Sequence, residues 1–296
     1  GGALYGTTAE GGLHGFGVVF KITPAGAFSK LIDFTGETGA AKGSVPNGLA
    51  LHSNGKLYGT TQSGGGNALG TLFSIDPVSG TLTTLAEFSG SGGAMPGQNP
   101  VGTVITQGDL VYGLTQNGGD SNNGVFFGIN INGTLTLSRS FTGLVGNQAG
   151  SRPDSSLLLA NDGFIYGTTE RGGANGVGVA FRFSSNASPS YEILHAFSDQ
   201  TGSQPSGSLC ERADGAIYGS TAVGGSLGWG VLYKLSPGAV HSVIAEFTNE
   251  NGLVPGASPR SGLTVTSDDR IWGTTSAGGA GQRGLIFTLS NGALFT

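Results

Sequence analysis

The stretch Leu57-Tyr58-Gly59-Thr60-Thr61 decides the fold, because it returns along the chain at Tyr5, Tyr112, Tyr166, Tyr218 and, as tryptophan, at Trp272. The intervals between these aromatics are 53, 54, 54, 52 and 54 residues. A period of that length, held from end to end, means one supersecondary unit built six times, each burying apolar surface against its neighbours. A single phase through all 296 residues points to one domain, with repeats at approximately 1–43, 44–97, 98–150, 151–202, 203–252 and 253–296.

Outward from that stretch, the second repeat divides into four segments of β character. Segment A is Gly48 to Leu51, introduced by Pro46, and the turn Ser53-Asn54-Gly55-Lys56 leads into segment B, Leu57 to Thr61. A glycine-rich loop from Gln62 to Gly70 precedes segment C, Thr71 to Ile75, and Pro77 to Gly80 turn the chain into segment D, Leu82 to Phe88. Segment D ends in Phe34, Phe141, Phe197 and Phe247 elsewhere, and segment C carries Phe20, Phe127, Phe181, Tyr233 and Phe287. Four strands in about 50 residues is the size of a propeller blade, whereas helical repeats would show an amphipathic 3.6-residue period. The expectation is an all-β, six-bladed β-propeller with four-stranded blades, whose radial closure limits exposed edges. The chain opens inside segment B of the first repeat and stops early in a segment D, so one blade is incomplete. The missing innermost strand is expected beyond Thr296 or before Gly1 in a parent chain.

Composition narrows the class further. Charged residues are 10% of the chain, against about a quarter in an ordinary soluble domain, while 58 glycines mark turns. The net charge of -5, with 13 Lys and Arg, offers no basic stripe for a phosphate backbone, so nucleic acid is not an expected partner. No apolar run of about 20 residues predicts membrane insertion, and no signal peptide is seen. The only methionine is Met95, so the chain reads as a processed or trimmed piece. The single cysteine, Cys210, excludes an internal disulfide and a Cys-based zinc site and reads as a small buried apolar residue. His14, His52, His195 and His241 lie in different repeats without ligand spacing, so neither metal nor cofactor is predicted.

The run Tyr58 to Thr61, then Gly64-Gly65, then Gly70 to Phe73, resembles the GloVer tandem repeat of bacterial surface or secreted proteins. The likeness spans essentially the whole chain, with departures at Leu114, Ser220 and Trp272. It implies an extracellular or cell-surface setting and carries no established activity. The Pro205 to Gly207 and Asp214-Gly215 rhythm is more distantly similar to NHL-type propellers, which implies that segment A is innermost.

In a zigzag blade the B-to-C and D-to-A loops share one side, and here those are the long ones, so a site is expected there. Trp229 stands out, with Phe16, Leu69, Asn123, Val177 and Arg283 at matching positions. An exposed indole among polar loops suits a sugar ring or a partner hot spot. The ligand-binding candidates are Trp229, Arg283, Phe16, His14, Arg171, Arg152 and Arg260. The catalytic candidates, should the chain be an enzyme, are Asp120, Glu170, Asp154, Glu211 and His14, since paired carboxylates perform general acid–base work. Glu211 is singled out because Leu51, Ile105, Leu159 and Val265 align with it, which reads as a carboxylate in a core-type position held by a structural ion pair. Gly224-Gly225-Ser226-Leu227-Gly228 matches G-x-S-x-G but opens no helix, so it is no nucleophile elbow. Asn132-Gly133-Thr134 and Asn186-Ala187-Ser188 are formal glycosylation sequons.

Three functional classes remain open. The leading one is a secreted or surface-attached module binding a carbohydrate or another surface protein. The second is a secreted carbohydrate-active hydrolase or lyase, and the third a structural spacer without a ligand.

Overall fold

The computed structural model describes residues 2–184, 190–290 and 292–295. The first sheet has three strands, β1 (Leu4–Thr8), β2 (Val18–Ile22) and β3 (Phe28–Asp33). The second has four, β4 (Ser44–Leu51), β5 (Leu57–Ser63), β6 (Thr71–Asp76) and β7 (Thr81–Glu87). The third is β8 (Gln98–Gln107), β9 (Leu110–Asn117), β10 (Val125–Asn130) and β11 (Leu135–Ser140). The fourth is β12 (Leu158–Leu159), β13 (Phe164–Thr169), β14 (Val179–Ser184) and β15 (Tyr191–Ala196). The fifth is β16 (Ser203–Glu211), β17 (Ile217–Val223), β18 (Val231–Leu235) and β19 (His241–Glu246), and the sixth β20 (Thr264–Val265), β21 (Ile271–Thr274), β22 (Ile286–Ser290) and β23 (Ala293–Phe295). Every sheet is an antiparallel meander, and no helix occurs among the described residues. The chain forms two compact units of three sheets each, Gly1–Phe141 and Thr142–Thr296.

The repeated Tyr-Gly-Thr-Thr is explained atom by atom. Its glycine pairs across the sheet with the aromatic of the third strand in all six repeats: Gly6 with Phe20, Gly59 with Phe73, Gly113 with Phe127, Gly167 with Phe181, Gly219 with Tyr233 and Gly273 with Phe287. The tip of the ring fills the space beside that glycine, so a Cβ built on Gly113 would come within 2.4 Å of Phe127 Cζ. The final threonine is a two-way staple. Thr61 Oγ1 donates to the Ser63 carbonyl at 2.9 Å and accepts from Thr71 N–H at 3.1 Å, and Thr8, Thr115, Thr169, Thr221 and Thr275 repeat both bonds. Only a hydroxyl both gives and receives at one atom, which is why the position holds threonine.

Neighbouring sheets are joined by a second recurring device. The phenylalanine that follows the last strand of each of the first five sheets is buried, and Phe34, Phe88, Phe197 and Phe247 meet the aromatic on the next repeat's segment C edge to face, with centroids 5.0–5.3 Å apart. Such pairs add about 0.5–1.5 kcal/mol beyond area burial. First strands of successive sheets also touch: a Cβ on Gly48 of β4 would collide with Thr103 of β8, and one on Gly207 of β16 with Ser261. Leaning first strand on first strand inside each unit matches the placement implied for segment A.

Strand bounds differ from expectation at the first strand. β4 and β8 run through their prolines instead of starting after them, and β4, β8 and β16 carry an irregularity at Pro46/Leu49, Val101/Ile105 and Ser206/Cys210. The residue before each proline is held in the left-handed region: Val45, Asn99, Arg152, Gln204 and Ser258 have φ of 55°, 54°, 50°, 53° and 51°. Proline disfavours the right-handed helical conformation for its predecessor, and left-handed φ costs non-glycine residues energy. The cost is offset where the same residue's N–H finds a partner, as when Val45, Asn99, Gln204 and Ser258 donate to the carbonyls of Phe16, Leu69, Val177 and Trp229. The incomplete sheet is the first, which lacks a segment A, while the sixth has four strands.

Candidate functional site

Each sheet has a loop side, carrying the B-to-C and D-to-A connections, and a turn side. Most polar groups of the loop side brace the loops themselves. The second glycine of each B-to-C pair donates its N–H to the preceding repeat, Gly65 to Gly36, Gly119 to Gly90, Gly173 to Gly143, Gly225 to Asp199 and Gly279 to Asn249. Acidic strand ends cap the same loops: Glu87 accepts from Gly66 N–H and from Lys42 Nζ, Asp33 from Leu13 N–H, and Glu246 from Ser226 N–H at 2.9 Å. Ser226 also donates its hydroxyl to Glu246, in a strand–loop–strand context, so the G-x-S-x-G match is a loop brace. Asn67 and Asn175 donate to the Phe88 and Phe197 carbonyls.

Both predicted aromatic residues are presented outward on this side. Phe16 and Trp229 are 41% and 43% exposed, and both follow a parallel bridge from the first glycine of their loop, Gly11 to Phe16 and Gly224 to Trp229. Phe16 rests on Gly36, where a Cβ would come within 2.8 Å of the ring. The ring forms one wall of a cavity of about 400 Å³ between the first and second repeats, ringed by Glu37, Thr38, Ser44 and Ser63.

The second unit gathers four more of the predicted residues. Arg152 Nε lies 3.5 Å from Glu170 Oε2, and Asp154 feels Glu170, Arg152 and Arg260. Asp154 and Arg260 each follow the proline of their repeat, as Ser206 does between them, which sets the three on successive first-strand segments. Asp154 is an exposed residue, and partial desolvation of its carboxyl, reinforced by the Glu170 charge, raises it above the usual aspartate range, against the pull of the two arginines. A carboxyl shifted this way beside a second carboxylate suits proton transfer.

The remaining candidates stand apart. His14 and Arg283 are exposed, and Asp120 is an exposed loop residue whose N–H donates to Ser140 Oγ. Arg171 is exposed while its backbone pairs with Ser151. Glu211 requires a correction: its position is not core, since the matching Leu51 is 67% exposed, and its partner is no cation. Glu211 accepts from the backbone N–H and the side-chain amide of Asn161, 50 residues away on the preceding repeat, at 2.9 and 3.0 Å. Arg212 turns the other way and pairs with Asp269. Burial pushes the Cys210 thiol up to about 12, as befits an inert packing residue. The Asn186-Ala187-Ser188 sequon lies outside the described residues.

One pairing was not legible in the sequence. His195 and His241 stack with centroids 3.7 Å apart and planes 5° from parallel, and His241 Nε2 is buried without a hydrogen-bond partner. Burial, with the neighbouring imidazole, lowers His241 from 6.5 to about 4. The two residues lie 46 positions apart, on fourth strands of consecutive repeats, so no local motif signals them.

A family model for the Gloeobacter/Verrucomicrobia repeat matches residues 1–157 and again 152–296, in tandem. The chain belongs to this repeat family. Solved structures similar to this Gloeobacter/Verrucomicrobia repeat chain are propeller-type proteins. A Bacteroides uniformis protein classed as a 6-phosphogluconolactonase aligns with TM-score 0.61 and 17% identity over 99% of this chain and 81% of its own. The nidogen/laminin complex aligns with TM-score 0.54 and 12% identity over 97% and 88%, and TolB from Acinetobacter baumannii with 0.50 and 15% over 93% and 57%. At these identities the likeness shows the fold alone, a propeller-type all-β architecture. No curated protein matches the sequence.

No helix long and apolar enough to cross a membrane occurs among the described residues.

Proposed function

We propose that this chain is a secreted or surface-attached carbohydrate-binding module whose six sheets serve as the blades of one propeller. The Phe16 cavity carries the reading. It joins a half-exposed aromatic face, which matches the C–H face of a pyranose, to the hydroxyls of Thr38, Ser44 and Ser63 and the Glu37 carboxylate. Its volume of about 400 Å³ accommodates one or two sugar rings. Trp229 repeats the presentation in the second unit and acts as a second contact point. The extracytoplasmic setting is part of the proposal, and cell fractionation of a producing bacterium checks it.

The test is capture on a glycan array by the parent chain, Phe16→Ala, Trp229→Ala and the double variant. Each single change is expected to weaken capture about tenfold or more, in line with aromatic hot spots. Unaltered capture by the double variant, or no glycan retained by the parent, overturns the reading. Retention of a surface protein instead, unaffected by free sugar, would move the assignment to protein adhesion.

A hydrolytic or eliminative activity has one observation in its favour, the raised Asp154 carboxyl beside Glu170. Release of new sugar ends from a polysaccharide panel, abolished by Asp154→Asn, would establish it. An experimental structure with five or seven blades would undo the blade assignment.

A further inference from the structure

On the turn side, four of the first-to-second-strand turns repeat one hydrogen-bond pattern, so their positions align across those repeats, while the third repeat turns more tightly at Gly108-Asp109. His52, Ala160, Arg212 and Thr266 all donate N–H to the residue four ahead and accept from the residue three ahead, or its equivalent. Two of these residues bridge to the next repeat. His52 Nε2 meets the Gly108 carbonyl at 2.7 Å with its ring against Tyr58, and Arg212 pairs with Asp269 beneath its own Tyr218. Ala160 has no side chain with which to reach across, and at this corner a cavity of about 340 Å³ opens.

What lines that cavity is chemically specific. Its floor is Tyr166, Leu194 and Leu235, and its walls carry Asp162, Glu211 and Arg182. Among the described residues the carboxylates accept from neutral donors: Asp162 from Tyr166 OH at 2.7 Å and Phe164 N–H at 3.0 Å, and Glu211 from Asn161. The one cation is already engaged, since Arg182 Nε and Nη2 both reach Glu192 Oε2 at 2.7 Å. An anion entering here would face two uncompensated carboxylates, whereas an ammonium would neutralise them.

We propose that the cavity beside the Asn161-Asp162 turn is a binding site for a primary ammonium group, presented by a ligand of monosaccharide size or by a lysine side chain. The ammonium sits between Asp162 and Glu211, and the aliphatic or ring carbons rest on Leu194, Leu235 and Pro237. This site lies on the turn side of its own two sheets, in the second unit, and stands or falls independently of the Phe16 cavity in the first.

Ligand-observed NMR titration with glucosamine, glucose and Nα-acetyl-lysine amide tests the proposal. Glucosamine or the lysine derivative is expected to bind at least about tenfold more tightly than glucose, because hydrogen bonds to charged groups contribute roughly 1.5–3 kcal/mol. Which amine binds better identifies the source. Glu211→Gln keeps an acceptor for Asn161 but removes the charge, and is expected to weaken amine binding about tenfold. Ala160→His places at this corner the side chain that already closes the equivalent one, and is expected to abolish binding. Glucose binding as well as glucosamine, no amine binding by the parent chain, or amine binding unchanged in Glu211→Gln would each overturn the proposal, whether or not Ala160→His folds.

Discussion

The second strand of each sheet and the loop that follows it lie a few residues apart and obey opposite rules. At Gly6, Gly59, Gly113, Gly167, Gly219 and Gly273 the residue never varies, because a ring from the paired strand occupies the space a Cβ would need. Ten residues further on, Phe16, Leu69, Asn123, Val177, Trp229 and Arg283 share a backbone role and little else. In four of them, Phe16, Leu69, Val177 and Trp229, the backbone carbonyl accepts from the next repeat's pre-proline N–H, a bond that any side chain permits. Repetition marks positions whose side chains build the fold, and variation marks those left over for recognition.

The sharpest way to break that contrast is Gly113→Ala. The new methyl would sit 2.4 Å from Phe127 in a fully buried pair, and overpacking is expected to cost about 3 kcal/mol, read as a large drop in the urea midpoint. Thr115→Val is next, since an isosteric change leaves Val125 N–H and the Asn117 carbonyl without their shared hydroxyl. A loss of about 2 kcal/mol by the same measurement is expected.

His241 supplies a pH-dependent version. Its folded value near 4 lies below its ordinary 6.5, so the unfolded chain binds the proton more readily. The stability this reports is complete above about 6.5 and is lost as pH falls towards 4. The ring is only partly buried, so the loss is about 1 kcal/mol after allowing for solvent screening. His241→Phe keeps the stacking area and is expected to flatten the melting temperature across that window. An unchanged slope would show that the His195–His241 stack does not titrate with folding. At the small end, Phe16→Ala is expected to shift stability by less than about 0.5 kcal/mol, because the ring is largely outside the core. A shift as large as that of Gly113→Ala would place Phe16 among the building residues and remove the contrast.

The candidate sites were legible to different depths. Phe16 and Trp229 could be picked out because aromatics at a variable loop position are visible in one dimension. Arg152, Asp154, Glu170 and Arg260 were nameable as charged loop residues, but their electrostatic coupling was not, since the repeat brings Asp154 and Arg260, 106 positions apart, onto first-strand segments separated by a single repeat. Glu211 was misread because alternation alone cannot tell a buried face from an exposed strand end, and Leu51 at the matching position is open to water. The left-handed residues before each proline were invisible, being ordinary side chains in an unusual backbone state.

From the sequence alone came the repeat, its strand order, the all-β class and the aromatic–glycine core, because each is a local pattern copied six times and enforced by period and side-chain volume. Which corner is empty, which carboxylates meet, and which two histidines stack were decided only when successive sheets leaned on one another. Those contacts depend on individual side chains, such as His195 against His241 or Glu211 on Asn161, and periodicity carries no information about the exceptions to itself.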